Sequence, residues 1–299
     1  MRAKWTDLAV EARGKMPRSD AVRLASGIER LTVRIDSERD ARAMGRPQGV
    51  YVTLTCPQTL SIALETRRAL ARELAATLAD MLPKERKSVL VVGLGNRNVT
   101  PDSLGPRTAE RILVTRHMAG CLPEDVLRNM ASVSAAAPGV LGVTGMETAE
   151  ILRGMVAHVR PDAVIAIDAL AARSSSRIAS TIQIADSGIT PGSGVGNHQK
   201  ALDKRTLGVP VLAVGVPLVV YASTIASDAL CALGGGEMEE ERIAACVEQV
   251  VSERLGELVV TPREVDALVE RMAGVLADGI NQALQPGLTG AEIAQMMAQ

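Results

Sequence analysis

The chain has 299 residues and a formal net charge of −1, with 33 Lys and Arg residues against 34 Asp and Glu residues. This near-neutral charge excludes a bulk electrostatic attraction to nucleic acid or to an anionic membrane surface. Hydrophobic residues make up 47% of the chain, enough for a sizeable core, but only 1% of residues are aromatic and none is Phe. The core therefore depends on aliphatic side chains, and stacking platforms for single-stranded nucleic acid are absent.

The cysteines and the N-terminus indicate a reducing compartment. The chain contains four cysteines, Cys56, Cys121, Cys231 and Cys246. None forms a CxxC pair, and the three histidines do not fall at ligand spacing with them, so we expect free structural thiols and no zinc site. The first residues carry charges without an apolar stretch, so no secretory signal is predicted. We expect a soluble, cytoplasmic protein without metal or other cofactor.

Strands and helices are predicted to alternate along most of the chain. Predicted strands lie at 31–36, 50–55, 88–92, 163–167, 178–184, 211–214 and 218–220. Predicted helices lie at 57–82, 103–113, 147–159 and 224–233, and from 238 onward the pattern is helical only, at 238–257, at 262–283 and in the tail. This alternation predicts an α/β fold, a three-layer sandwich with a mostly parallel central sheet and a helical C-terminal region.

The apolar run at 209–226 is long enough to raise the possibility of a membrane span. Pro210 and Pro217 interrupt it, and Gly208 and Gly215 punctuate it. Two buried strands with a turn between them fit this pattern better than a spanning helix.

Two acidic residues follow buried strands of the predicted sheet. Asp102 lies in the polar, glycine-rich loop at 93–106, and Asp168 comes directly after the apolar run AVIAI. Functional groups of a parallel sheet gather beyond the carboxyl ends of its strands, so the two carboxyl groups converge if their strands are neighbours. Each acid also has a purely structural interpretation. Asp102 fits a helix cap, and Asp168 fits an acid satisfied by loop amides.

A close pair of carboxyl groups predicts a particular chemistry. Like charges resist joint ionisation, so the two groups share one proton. One of them can activate a water molecule while the other protonates, or donates a hydrogen bond to, the scissile carbonyl. The pair therefore predicts peptide hydrolysis without a metal or a nucleophilic side chain. Further possible members of the active-site loops are Asn96, Asn98, Thr100, Ser193 and His198. His198 could line the cleft, but a structural role as a cap of its loop fits it better.

Several long segments resemble the germination protease family of spore-forming bacteria. They are TDLAVEA (6–12), VVGLGNRNVTPDSLGP (91–106), VSAAAPGVLGVTGMETAEI (133–151), RPDAVIAIDALAARS (160–174), IQIADSGITPGSGVGNH (182–198), GVPVLAVGVPLVVYAST (208–224) and VTPREVDALVERMAGVLADGINQAL (260–284). The resemblance implies a fold similar to hydrogenase maturation proteases and endopeptidase activity on small acid-soluble spore proteins during germination. It also implies that the catalytic aspartates, in the motifs VTPD and IDAL, are Asp102 and Asp168.

The same resemblance implies a homotetrameric zymogen that cuts itself near its N-terminus. The cut is expected between Asp7 and Leu8, which makes 1–7 a propeptide and 8–299 a single peptidase domain, helical from about 238. Both the propeptide and the chain are short for the family. An acidic cleavage motif predicts a basic cleft, although most of the nearby arginines fit solvated surface positions better. These arginines are Arg97, Arg107, Arg173 and Arg177.

Three other interpretations stay open. A hydrogenase maturation endopeptidase shares the GLGN-type loop, but here VTPD replaces its DDG-like run. A peptidyl-tRNA hydrolase is suggested by VGLGN and TRH, but its histidine should follow the asparagine closely, whereas His117 lies 21 residues after Asn96. A non-catalytic binding scaffold would use both aspartates only for structure.

Overall fold

A computed structural model describes residues 6–12, 18–24, 26–56, 63–84, 87–120, 130–192, 199–233 and 258–298, together with Ile243 and Val247. The strands in these ranges are β1 (Ser19–Arg23), β2 (Glu29–Ile35), β3 (Gly49–Thr55), β4 (Ser88–Gly93), β5 (Ser132–Ala136), β6 (Ala163–Ala172), β7 (Thr181–Ala185), β8 (Val211–Tyr221) and β9 (Val259–Val260). The α-helices are α1 (Glu38–Met44), α2 (Leu64–Met81), α3 (Leu104–Ala109), α4 (Leu141–Thr144), α5 (Thr148–Val159), α6 (Lys204–Leu207), α7 (Ala222–Leu233), α8 (Val265–Leu284) and α9 (Gly290–Met297). Short 3-10 helices lie at Ala9–Glu11, Thr100–Ser103, Arg116–Met118 and Ser175–Arg177.

The described strands form one sheet in the order β1-β2-β3-β7-β8-β6-β4-β5, with β9 paired to β8. Strands β5, β4, β6 and β8 are parallel to one another. The sheet then continues antiparallel through β7, β3, β2 and β1, and β9 is antiparallel to β8. The α/β class is confirmed, but the sheet is mixed, and the expected parallel arrangement holds only for its β5-β4-β6-β8 part.

Short connections explain two of the chain reversals in the sheet. Only residues 24–28 separate β1 from β2, and only 173–180 separate β6 from β7. A parallel crossover needs about a dozen residues or more, so the chain can only reverse direction at these two points.

Helices cover both faces of the sheet. On one face, α2 and α8 pack over alternate residues of the parallel strands, including Val91, Ile165 and Val214. On the other face, α5 and α6 pack over the intervening residues, including Val92 and Val164. The period of two along a strand sends successive side chains to opposite faces, which gives the predicted three layers.

Two strands run further than the sequence predicted, and one of them carries a site residue. β6 continues to Ala172 instead of ending at Ile167, because β8 stays paired with it across a change of register after Leu170. Asp168 therefore lies inside a buried strand rather than at the start of a loop. β8 is one continuous strand instead of two, and Pro217 lies at the register shift, where a strand tolerates proline.

Other elements differ where the apolar pattern is weak. β1 is exposed along its whole length and β5 buries only Val133, so neither has the alternation that would have predicted it. The predicted helix at 238–257 lies outside the described residues except for Ile243 and Val247, which are helical and buried. Within the described ranges, no helix is long and apolar enough to cross a membrane.

The chain after β4 lies against the end of β6 in a close backbone contact. The N–H of Leu94 donates to the carbonyl oxygen of Ile167 at 2.8 Å. At the start of α3, a Cβ atom on Gly105 would overlap the carbonyl oxygen of Leu94 and come against that of Ile167. Glycine is therefore required for α3 to begin directly against the two central strands, and this contact fixes the position of the intervening turn.

We expect Gly105→Ala to lower the free energy of unfolding by about 1–3 kcal/mol, because the added methyl group has no space without a backbone shift. Urea unfolding followed by circular dichroism measures this. The control is Gly154→Ala in α5, where an added Cβ meets nothing within 4 Å. That change should stabilise the protein by about 0.5–1 kcal/mol through helix propensity. Equal effects of the two variants would contradict the close contact.

Candidate active site

A cavity of about 400 Å³ opens beyond the carboxyl end of β4 and beside the second half of β6. Its walls are largely apolar and include Leu94, Val140 and Leu170. The described lining contains no lysine, arginine or histidine, and its acidic residues are Asp7, Asp102 and Asp168. The cavity therefore gathers negative charge in an apolar surrounding, which strongly favours protonation of at least one carboxyl group.

Asp168 is held inside this cavity by β6. The residue is 5% exposed, and its Oδ1 accepts a hydrogen bond from the N–H of Ala169 at 2.9 Å. Burial raises the pKa of Asp168 well above its ordinary value, and the negative charges of Asp102 and Asp7 raise it further. The N–H groups of Ala169 and Gly192 oppose this shift without cancelling it. Asp168 is therefore the carboxyl group of the site that most readily holds a proton.

Asp102 reaches the same cavity from a tight turn. The 3-10 helix Thr100–Ser103 brings it back towards Asn96, whose N–H donates to its Oδ2 at 2.6 Å. Gly95 has a φ of 106°, and an added Cβ there would overlap the main-chain oxygen of Asp102. Burial raises the pKa of Asp102, and the Asn96 hydrogen bond partly lowers it. This carboxyl group does not cap α3, whose N-cap residue is Ser103.

β4 and β6 are neighbouring parallel strands. This is the condition under which the sequence predicts that the two acids converge. Val92 lies beside Ala166, and Gly93 lies beside Ile167. Asp168 thus comes one residue beyond the last pair, and the turn that follows Gly93 returns Asp102 to the same point. Both acids line the same cavity, and the negative charge of Asp102 raises the pKa of Asp168.

The N-terminal segment also enters the cavity. The N–H of Asp7 donates to the carbonyl oxygen of Ala171, and the N–H of Ala171 donates to Oδ2 of Asp7, both at 2.9 Å. Leu8 is fully buried and packs on Leu170, Ala172 and Val220. The peptide bond between Asp7 and Leu8 therefore lies beside the strand that carries Asp168.

Gln183 in β7 holds the same peptide segment by both ends of its side-chain amide. Its Nε2 donates to the carbonyl oxygen of Asp7 at 2.8 Å, and its Oε1 accepts from the N–H of Ala9 at 2.5 Å. The residue is 8% exposed. No sequence pattern predicts this role, because β7 comes close to the N-terminal segment only through its antiparallel pairing with β3 and β8.

The other predicted loop residues take supporting positions or lie outside the description. The side-chain oxygen of Asn96 accepts from the N–H of Asn98 at 3.0 Å, and Thr100 begins the 3-10 helix that carries Asp102. None of these three residues is part of the described cavity lining. Ser193 and His198 lie outside the described residues, although Gly192 and Gln199 on either side line the cavity.

The arginines near the loops do not line the cavity, so its described part is not the basic cleft that was expected. Arg97 pairs with Glu110, and Arg107 pairs with Glu270 at 3.3 Å. The side chain of Arg177 pairs with Glu11 at 3.3 Å.

The described residues contain two free cysteines and no cluster of metal ligands. In the described part of the chain, no group of three or more His, Cys, Asp and Glu residues is arranged to hold a metal ion. Cys56 is buried and Cys231 exposed, both as free thiols, and Cys121 and Cys246 lie outside the described residues.

Comparison with known proteins identifies the class of this chain. A family model described as germination protease matches residues 20–235 and 231–296. The germination protease of Caldanaerobacter subterraneus is 44% identical over 98% of this chain and 97% of its own. The germination protease of Clostridium acetobutylicum is 41% identical over 98% of this chain and 98% of its own length. That of Bacillus subtilis is 39% identical over 93% of this chain and 92% of its own length. The protein is a peptidase. It belongs to the germination protease family, as its motifs predicted, which disfavours both the peptidyl-tRNA hydrolase and the binding scaffold.

A solved structure was also found to be similar. The nickel–iron hydrogenase maturation protease HycI from Thermococcus kodakarensis aligns with 68% of this chain and 98% of its own, with 19% identity and a TM-score of 0.37.

We expect Asp168→Asn to stabilise the protein near neutral pH. The native pKa of Asp168 is raised above the unfolded value, so the native state binds the proton more tightly. The free energy of unfolding of the wild type must then fall as pH rises from the unfolded pKa through the native pKa. The variant lacks this ionisation and should be more stable than the wild type at about pH 8, by roughly 1–3 kcal/mol.

The measurement is urea unfolding at about pH 4 and about pH 8. The difference in free energy of unfolding between Asp168→Asn and the wild type should be small at the lower pH and large at the higher pH. Asp80→Asn, at an exposed position of α2, is the control and should behave as the wild type at both values. A stability difference that does not change with pH would show that Asp168 carries no raised pKa.

Proposed function

We propose that this chain is an aspartic-type endopeptidase whose catalytic residues are Asp102 and Asp168. The observation that carries the proposal is that both acids line one apolar cavity and that the charge of Asp102 raises the pKa of Asp168. The family supports a role in spore germination. Because the chain resembles this family, we extend the proposal in two respects. The substrates are small acid-soluble spore proteins, and the enzyme is a homotetramer in the cytoplasm of the spore core.

The two environments suggest how the pair divides the work. Asp168 is the more deeply buried acid and has the more strongly raised pKa, so it begins the reaction protonated. Asp102 begins ionised and takes a proton from a water molecule, whose oxygen attacks the scissile carbonyl carbon. Asp168 donates its proton to the carbonyl oxygen. The C–N bond then breaks as the leaving nitrogen is protonated from Asp102, and the tetrahedral hydroxyl returns a proton to Asp168.

We infer that the same site cuts its own chain between Asp7 and Leu8. The amide of Gln183 donates to the carbonyl oxygen of Asp7, the oxygen that gains charge when water adds to this bond. The two hydrogen bonds between Asp7 and Ala171 hold the segment extended beside β6. We infer that residues 1–7 form a propeptide and that 8–299 form a single peptidase domain.

Asp102→Asn and Asp168→Asn should each abolish self-cleavage and substrate cleavage, because neither variant can hold one proton between two carboxyl groups. Losses of at least about 10³-fold are expected for a group essential to the chemical step. Mass spectrometry of the purified proteins measures self-cleavage, and circular dichroism checks the fold. Asp80→Asn is the control and should be processed fully.

Full processing of both aspartate variants would refute the catalytic pair. N-terminal sequencing should show that the processed wild type begins at Leu8. A different first residue would contradict a cut between Asp7 and Leu8. Activity should survive EDTA. Loss of activity with EDTA and its recovery with nickel or zinc would favour the mechanism of a metal-sensing hydrogenase maturation endopeptidase.

Gln183→Leu should slow self-cleavage by about 10²- to 10³-fold, as expected when one donor to the developing oxyanion is removed. Leucine fills a similar volume but donates no hydrogen bond. Gln183→Glu keeps the acceptor for the N–H of Ala9 while replacing the donor, so it should be slow as well. Processing time courses give the rates, and a normal rate in Gln183→Glu would show that the donor has no part in the reaction.

A further inference from the structure

An arginine that lies outside the described cavity lining binds the chain just before the proposed cut. The guanidinium Nη2 of Arg46 donates to the main-chain oxygen of Thr6. Arg46 follows α1, which belongs to the antiparallel half of the structure, and it is 40 residues away from Thr6 in the chain. The segment is therefore held from this side as well as from β6 and β7.

The end of α1 directs Arg46 towards the segment. Gly45 ends the helix in the left-handed region with a φ of 61°, and the N–H of Arg46 donates back to the carbonyl oxygen of Ala41 at 3.0 Å. The carbonyl oxygen of Pro47 accepts from the hydroxyl of Tyr51 at 2.8 Å. The main chain is thus fixed on both sides of Arg46, and its side chain starts from a defined point.

The same region also packs on the segment beyond the cut. Ala9 is fully buried in one apolar cluster with Met44 of α1 and with Tyr51 of β3. Ala9 lies after the proposed cut and Thr6 lies before it. This region therefore contacts the segment on both sides of the scissile bond.

The charge of Arg46 is directed at the peptide main chain. Within the described ranges no carboxylate pairs with Arg46, whereas Arg42 of α1 pairs with Glu38 at 2.9 Å. The acceptor of Arg46 is a carbonyl oxygen, which every residue of a substrate possesses. The contact therefore does not depend on the side chain at that position.

The proposed cut removes the acceptor of Arg46 but leaves Arg46 in the enzyme. Thr6 departs with residues 1–7, so the guanidinium loses this acceptor in the processed chain. A substrate whose scissile bond lies at the catalytic pair presents an equivalent carbonyl group, that of the second residue before the bond. The donor that holds the N-terminal segment is then available to the substrate.

We propose that Arg46 is a substrate-positioning residue, which donates to the main-chain carbonyl of the second residue before the scissile bond. It acts beside Gln183, which binds the carbonyl oxygen of Asp7, and Ala171, which accepts from the N–H of Asp7. The inference rests on the proposed function, because the cut between Asp7 and Leu8 defines which carbonyl group Arg46 binds.

The first test uses processed enzyme and a synthetic peptide that spans residues 2–15. Arg46 contacts none of the reacting atoms, so its hydrogen bond should stabilise the bound substrate and the transition state alike. Arg46→Met should therefore raise KM about tenfold and change kcat by less than about twofold. Arg46→Lys keeps a charged donor and should recover part of the loss. Arg42→Met on the same helix is the matched control and should leave KM unchanged.

The second test changes one atom of the peptide. A thioamide between Thr6 and Asp7 replaces the carbonyl oxygen by sulfur, which is a weak acceptor. The wild type should cut this peptide with a kcat/KM about tenfold lower than the oxygen peptide. Arg46→Met should cut the two peptides at similar rates. A purely structural role of Arg46 would not couple the arginine to this single atom.

Equal cleavage of the two peptides by the wild type, between Asp7 and Leu8, would overturn the role of Arg46 and leave the proposed function intact. A folded Arg46→Met enzyme with the sensitivity of the wild type to sulfur would overturn it as well. If the wild type cuts neither peptide at that bond, the proposed function fails, and the assignment of Arg46 fails with it. The full chain of Arg46→Met should still process itself, because a tethered segment depends less on one contact than a free peptide does.

Discussion

The repulsion between two carboxyl groups in an apolar cavity is the interaction on which the rest of this structure depends. Ionising both Asp102 and Asp168 would bury two like charges where the described lining supplies no cation. The pKa of each acid is raised by burial, and that of Asp168 is raised further by its neighbour. Protonation of one of the two acids relieves this repulsion. In the proposed reaction, the same proton is transferred to the scissile carbonyl oxygen.

The scaffold keeps the two acids in this unfavourable arrangement through backbone contacts. Asp168 is fixed by a buried strand, and Asp102 is fixed by a turn that can form only because Gly95 and Gly105 leave no side chain in the way. The bond from Asn96 to Asp102 stabilises the ionised form of one acid, so the two members of the pair differ. Stability gained in the sheet and its two helical layers offsets the cost of the site.

The N-terminal segment connects the site to its proposed substrate. Asp7 adds a third acidic side chain to the cavity, and Leu8 fills an apolar recess beside β6. Glu11 accepts hydrogen bonds from the N–H groups of Arg173 and Ser174 and forms an ion pair with Arg177, all in the chain that continues from β6. The segment is bound through main-chain atoms, one apolar side chain and two acidic side chains, those of Asp7 and Glu11, a mode of recognition that another peptide of similar sequence can share.

The sequence by itself determined the alternation of strands and helices, the two acidic motifs and the family. These depend on apolar periodicity and on contiguous residues, both of which are local properties of a chain. It did not determine that β6 passes through Asp168, because that extension exists only while β8 lies beside it. Nor did it identify the partners of Gln183 and Glu11, since these include Asp7 and Arg173, which lie 176 and 162 residues away in the chain. Only tertiary pairing of strands brings such distant groups together, so only the folded structure could decide which side chains surround the two aspartates.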